Sequence, residues 1–426
     1  MIQAWKRLWR NKRGNALVIF GAALPLVVGS AGLATDTIQW ALWKRQLQRA
    51  ADSAALAGVY ALSQEKNATA AATRDIVVNS HLPMTPTKNI EPPPTSGPYA
   101  GDATAVRVTL SMQRKLGFSG LFLSATPTIT ATATAKLVDQ DKYCVVALKK
   151  SGKALEIGGS SHVVMGCGAI SNSTDPIDSV DVDGAAHYFE ADPVAAAGGT
   201  PTSINGVTDL DPWAPPLPDP FAGKYSTSIP AAAGTCTNSN HPSKSNADGS
   251  WKPGCYNSFN VPNGTTVLSP GVYYLNSASI KLVGNEIIVG DGVTIIFTGS
   301  SPGSIEMGGN SALQLTAPTD ATCGVFPAGG VDSCAFKKML MIQAANATAD
   351  NANLINGNNL TALDGALYFP KGQLTFSGDS AQATKCAMVV GYTVAFNGNT
   401  NIQNDMAPED CDADQQASGK SVRLVA

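Results

Sequence analysis

Hydrophobic and polar positions follow three different periods along this chain. Residues 15–34 carry no charge at all. As a helix, twenty such residues reach about 30 Å, the thickness of a bilayer's hydrocarbon core. From residue 36 to about 65 the pattern becomes a heptad seam: Trp40, Trp43, Leu47, Ala50, Ala54, Ala57 and Ala61 recur at steps of three and four. Two Trp just past an apolar span suit a membrane–water interface. The small residues below them let a neighbour approach closely, either a helix of an assembly partner or the chain's own next domain. Residues 81–101 are Pro-rich, with Glu91 followed by Pro92, Pro93 and Pro94, and read as a loop. Val106, Val108, Leu110 and Met112 alternate as in a half-buried strand, 118–123 is an apolar run suited to a short helical turn, and 128–138 has strand character.

Beyond Tyr143 an apolar–any–apolar–any–Gly repeat appears. Its copies are Leu155-Ile157-Gly159, Val180-Val182-Gly184, Ile280-Leu282-Gly284, Ile305-Met307-Gly309, Leu374-Phe376-Gly378 and Val394-Phe396-Gly398. Alternate apolar side chains would point into a shared core, Gly would turn the chain, and the polar residues after it (Ser160, Asn285, Asn310, Asp379, Asn399) could stack as ladders between coils. No coil of this kind buries its own apolar face, so coils must stack. The pattern predicts a right-handed parallel β-helix over 143–426, with excursions near 198–254 and 319–336. An antiparallel sandwich of short strands explains the alternation but not the recurring Gly.

Charge sets the orientation. Lys6, Arg7, Arg10, Lys12 and Arg13 precede the span and Asp36 follows it, which predicts a cytoplasmic segment 1–14, a transmembrane helix 15–35 and everything else across the membrane. Gly32-Leu33-Ala34 could instead serve as a signal cleavage site. Only 14 % of residues are charged and no basic run follows the first cluster, so nucleic acid is not an expected partner. The eight cysteines all follow Lys142, and an even set beyond a membrane reads as disulfides. A preference for short loops pairs Cys144 with Cys167, Cys236 with Cys255, Cys323 with Cys334 and Cys386 with Cys411. Without a C-x-x-C, and with four His, no metal or other cofactor is expected.

Three groups of residues then carry a resemblance. Asn11-Lys12-Arg13-Gly14-Asn15 precedes the span, Gly32-Leu33-Ala34-Thr35-Asp36 closes it, and Leu47-Gln48-Arg49-Ala50-Ala51-Asp52-Ser53-Ala54-Ala55-Leu56-Ala57 follows. Over residues 5–65 the chain resembles the N-terminal module of TadE/TadG-like Flp (tight adherence) pilus-assembly proteins. The resemblance implies a single-pass bacterial inner-membrane protein of that system, with its C-terminal region periplasmic or surface-facing. Its partners would be membrane lipid, other pilus or secretion-system subunits met through the helix seam, and a cell-surface ligand. Pilins of the system carry a Glu five residues after a processing Gly; here Ile19 stands at that distance from Gly14, so the anchor is expected to stay. Segments 36–66 and 67–142, a long helix and then a small α+β connecting domain, are built as in pilin-like proteins. TadG-like proteins often resemble a fusion to a von Willebrand A-type domain, but Lys149 stands where its metal-binding Asp would be.

Catalytic candidates are thin. Asp178, Asp181 and Asp183 form an acidic patch that reads as an outward strand face or a weak cation site, Lys281 and Glu306 occupy outward repeat positions, and Ser160-Ser161-His162 lacks an orienting partner. The expected function is non-enzymatic, a structural part of pilus assembly or surface adhesion. The alternatives are a membrane-anchored polysaccharide lyase or hydrolase and a pilus-independent adhesin.

Overall fold

A computed structural model describes residues 12–184, 187–240, 244–327, 330–356, 360–378, 381–385, 387–399, 401–405 and 417–425. The described chain forms two compact units: residues up to Val138 together with Val422–Ala426, and Asp139–Ser421.

In the first unit a single helix, α1 (Lys12–Ser63), runs 52 residues through Pro25, so span and seam are one element. Its first described side chains are out in the open: Ile19, Phe20, Leu24, Leu26 and Val27 are all exposed. Lower down the character inverts. Leu47, Ala50, Ala51, Ala54, Ala55 and Val59 are buried with Ala68, Ala72 and Ile76 of a second helix, α2 (Ala68–Val78). Asn67 starts α2 by accepting a hydrogen bond from the backbone N–H of Ala70 at 2.8 Å. The same core takes Val106, Val108, Leu110 and Met112 from β2 (Ala105–Gln113), and Ile129, Ala131, Ala133 and Ala135 from β3 (Thr128–Ala147). Both strands alternate, so one face of each meets the helices. Small residues set the spacing: a Cβ added at Gly58 would lie 3.0 Å from Val106 Cγ1 and 3.5 Å from the Ala68 carbonyl.

Strand β1 (Thr87–Glu91) pairs antiparallel with β2, which pairs antiparallel with β3 as far as Ala105 opposite Lys136. The Pro-rich 81–101 stretch is therefore not all loop. A polar edge strand lacks the apolar alternation that marks β2, because its outer face meets water.

In the second unit three parallel faces form the coils of a solenoid. All six Gly-terminated repeats fall on one face and stack in register. Leu155 and Ile157 lie opposite Val180 and Val182, Ile280 and Leu282 opposite Ile305 and Met307, and Leu374 and Phe376 opposite Val394 and Phe396. Their apolar side chains join one inner core. Gly309 has φ +62°, and a Cβ there would sit 2.8 Å from the Gly284 carbonyl of the adjacent coil. Gly284 itself has no positive φ; a Cβ there would crowd Asn263 and Glu286 instead. Asn310 donates to Asn285 at 3.2 Å, and the Asn285 N–H reaches Asn263 at 3.5 Å, so an Asn ladder does run along this edge.

The coils do not stack in sequence order. One run climbs from Gly254–Ser258 through Gly271–Asn276, Val293–Thr298, Met339–Gln343 and Ala366–Ser377 to Val389–Phe396. That last strand then pairs with the first coil, Val389–Gly391 against Val145–Ala147 and Val394–Phe396 against Leu155–Ile157. From there the stack continues through Gly168–Ser171 and Val194–Ala196 to Leu210–Pro212. The end of the repeat region is thus seated on its beginning.

The 198–254 excursion makes this possible. Having left the last early coil at Leu210–Pro212, it crosses back over the stack to Thr237–Asn238, which pairs with Gly254–Ser258. On the way it packs Ala214, Leu217, Phe221 and Ala233 against outward apolar residues of many coils, among them Val146, Ile170, Ile296, Ile342, Tyr368 and Val390. Asn172 exchanges hydrogen bonds with the backbone of Leu217 at 2.7 and 2.8 Å, and the Tyr368 hydroxyl donates to Asp219 at 2.8 Å. The segment is a strap over a second core, and its lack of apolar periodicity follows from packing as an irregular chain. The shorter excursion is a small antiparallel hairpin, Val325–Phe326 with Val331–Asp332.

Cys144 is bonded to Cys167, Cys236 to Cys255 and Cys323 to Cys334. They join adjacent coils, tie the end of the strap to the coil it enters, and close the hairpin. Cys386 and Cys411 lie outside the described residues.

Candidate anchor and assembly surface

The candidate site is α1 together with what is fastened to it. Between Ile19 and Ser63 the helix is long and apolar enough to cross a membrane, and 6 % of its most apolar window is buried by protein. An apolar helical surface left open over that window calls for hydrocarbon. It is a candidate membrane anchor.

Where the uncharged part of the helix ends, the protein builds a polar clasp. Asp36 is 4 % exposed. Its carboxylate accepts from the backbone N–H of Phe118 at 2.9 Å, and from the backbone N–H and hydroxyl of Ser119 at 2.5 and 2.6 Å. These donors hold its pKa below the ordinary carboxylate value, the Phe118 N–H contributing most and the Ser119 hydroxyl next. They also start the short 3-10 turn Ser119–Leu121, in the apolar run where a turn was expected. Further along α1, Arg114 lies over the Trp43 ring at 4.2 Å from its centroid. Nothing in the sequence joins Asp36 to residues more than eighty positions away; the pairing arises because β2 and β3 lie along the helix and their connection lands beside Gly32 and Asp36.

The seam residues separate into groups. Trp40 is exposed and Trp43 half-buried. Leu47, Ala50 and Ala54 are core of the chain's own unit, facing its own strands. Of the two neighbours the spacing left open, these three residues meet the chain's own next elements: small side chains admit a β-sheet as readily as a helix, and the antiparallel sheet that follows packs on them. Ala57 is half-buried, and Ala61 is buried near the helix end.

The residues weighed for chemistry are dispersed over the solenoid. Asp181 is paired with Lys153 at 2.6 Å and Lys281 with Glu306 at 3.1 Å, both near the surface. His162 stacks on Tyr188 with ring centroids 4.9 Å apart. Lys149 lies 3.7 Å from Asp350, the one acidic residue lining an open polar depression with Ser277, Ser279 and Ser304. Among the described residues no group of three or more His, Cys, Asp or Glu is placed to hold a metal ion.

With this geometry the comparison with protein families has a clear location. Residues 14–72 match the family model described as "Putative Flp pilus-assembly TadE/G-like". The match begins before the first exposed apolar turn of α1 and ends inside α2. The TadE/G-like segment therefore contains the candidate anchor, the Asp36 clasp point and most of the helical half of the first core, and it supports a pilus-related role. The solenoid lies outside it. No curated protein and no solved structure matches the chain.

Proposed function

We propose that this chain is a non-enzymatic, membrane-anchored structural component of Flp-type pilus assembly. Residues 15–35 hold it in the bacterial inner membrane, and the solenoid projects on the extracytoplasmic side as a stiff, disulfide-tied surface for assembly or attachment. One observation carries the reading: the TadE/G-like match and the exposed apolar helix are the same stretch of chain. Three disulfides among the described residues, all in the solenoid unit, favour an oxidising compartment for it. Contact with other pilus subunits falls to what α1 leaves uncovered beyond the span, Ile38, Trp40 and Leu42, since Leu47, Ala50 and Ala54 are taken. Asp181, with Asp183 and Glu156 close by, is paired with Lys153, and Glu306 with Lys281, an arrangement that suits a structural surface better than hydrolysis.

The test is deletion in the source bacterium followed by complementation. Loss of pili or of attachment, restored by the full chain but not by one lacking 139–421, is the expected result, together with crosslinks from Ile38 or Leu42 to other pilus components. Unchanged pili and attachment, with no pilus component crosslinked, would remove the proposal.

A further inference from the structure

Outside the span, the connection between β2 and β3 leaves three consecutive large apolar side chains bare. Leu121, Phe122 and Leu123 are 77, 75 and 53 % exposed, side by side on the connection between β2 and β3. A flexible loop could present such residues anywhere, but this one is pinned. Asp36 holds Phe118 and Ser119 through three hydrogen bonds. The Phe118 ring lies directly on Gly32, where a Cβ would come within 2.3 Å of ring carbons, so the aromatic can sit there only because the helix carries glycine. Gly32 belongs to the uncharged span, and its neighbour Leu33 is open at 56 %. The bare run is thus fastened at the level where the apolar surface of α1 ends. Phe118 and Phe122 also pack together, ring centroids 5.3 Å apart, giving the turn an aromatic body.

The polar groups around it are arranged for the same boundary. Arg114 and Lys115 precede the apolar run, on the side from which β2 arrives, and Arg114 is laid over Trp43 further from the span. A carboxylate at the edge of hydrocarbon is costly unless its hydrogen bonds are made, and those of Asp36 are.

We propose that residues 118–123 are an interfacial wedge, a second lipid attachment that inserts Leu121, Phe122 and Leu123 among the acyl chains of the leaflet where the α1 span ends, with Arg114 and Lys115 at the level of the lipid phosphates. The occupant is lipid because the run continues the surface that α1 already offers to the membrane. A lone transmembrane helix can turn about its axis; a wedge clasped to its side fixes which face of the first unit looks along the membrane. The proposal rests on the anchor reading of α1 and goes beyond it.

The experiment places a benzophenone-bearing phenylalanine at Phe122, at Leu26 in the span, or at Tyr60, about 40 Å further along the helix than Gly32. The full chain is reconstituted in vesicles of phosphatidylethanolamine and phosphatidylglycerol, irradiated and analysed by mass spectrometry. Lipid adducts at Phe122 in yield comparable to Leu26, with none at Tyr60, are the expected result. Adducts at Leu26 while Phe122 gives only protein adducts, or none, would overturn the wedge and leave the anchor standing. Failure at Leu26 as well would overturn both.

Discussion

The two units solve the burial problem in opposite ways. In the first, each element is used once: a helix with a small-residue face, a short second helix and an antiparallel sheet close a single core around Ala54 and Val108. In the second, near-identical coils share the work, each closing the apolar face of the one before, and the final coil seats on the first. A one-of-a-kind core has no spare neighbour, so damage spreads through the unit. A stacked core confines damage to adjoining coils unless it strikes a turn where backbones nearly touch.

The largest expected effect therefore belongs to the first unit. Ala54 is fully buried, and Ala54→Glu places an unpaired charge in that core, costing about 3–5 kcal/mol. Limited proteolysis should then cut within residues 36–138 while the solenoid, with its disulfides, resists. Retained resistance of the first unit would mean that the Ala54 face does not pack on its own sheet.

In the solenoid, neighbouring glycines should differ sharply. Gly309→Val must take φ +62° and crowd the Gly284 carbonyl, a loss of about 1–3 kcal/mol from the backbone alone. Gly308 has open space around its Cβ position and no positive φ, so Gly308→Ala should stay within about 0.5 kcal/mol of the parent. Thermal unfolding of both variants checks the pair; equal effects would place the turn elsewhere.

A smaller change probes the strap. Tyr368→Phe removes the hydroxyl that donates to Asp219 and should cost about 1 kcal/mol, read as faster hydrogen exchange across residues 211–230 with the coils unaffected. Protection lost evenly over the whole solenoid would show that the strap is not a separate layer.

The same contrast explains what could be read from the sequence. The six glycine-ended repeats were legible because each needs a neighbour like itself, so pattern and register coincide. Their order in space was not: alternation states that Val394 and Phe396 face a core, but nothing in it says that the next coil is the one beginning at Leu155. The strap was hidden for a related reason, since irregular chain packs Leu217 and Phe221 without a period. In α1, the seam through Leu47, Ala50 and Ala54 announced a buried face but not what buries it. The Asp36 clasp left no local mark at all, being made by two backbone amides and a serine far away in sequence.

The out-of-order stacking is the central structural claim, and the unmodified protein can test it. A zero-length carbodiimide crosslinker joins lysines to carboxylates already in contact. Lys153 and Asp181, on successive coils of the early run, should be joined whatever the later stacking. Lys149 and Asp350, 3.7 Å apart, can be joined only if the later run returns to the first coil. Peptide mapping should recover both crosslinks. Recovery of Lys153–Asp181 without Lys149–Asp350, or with Lys149 joined only to carboxylates of the early run, would contradict the account.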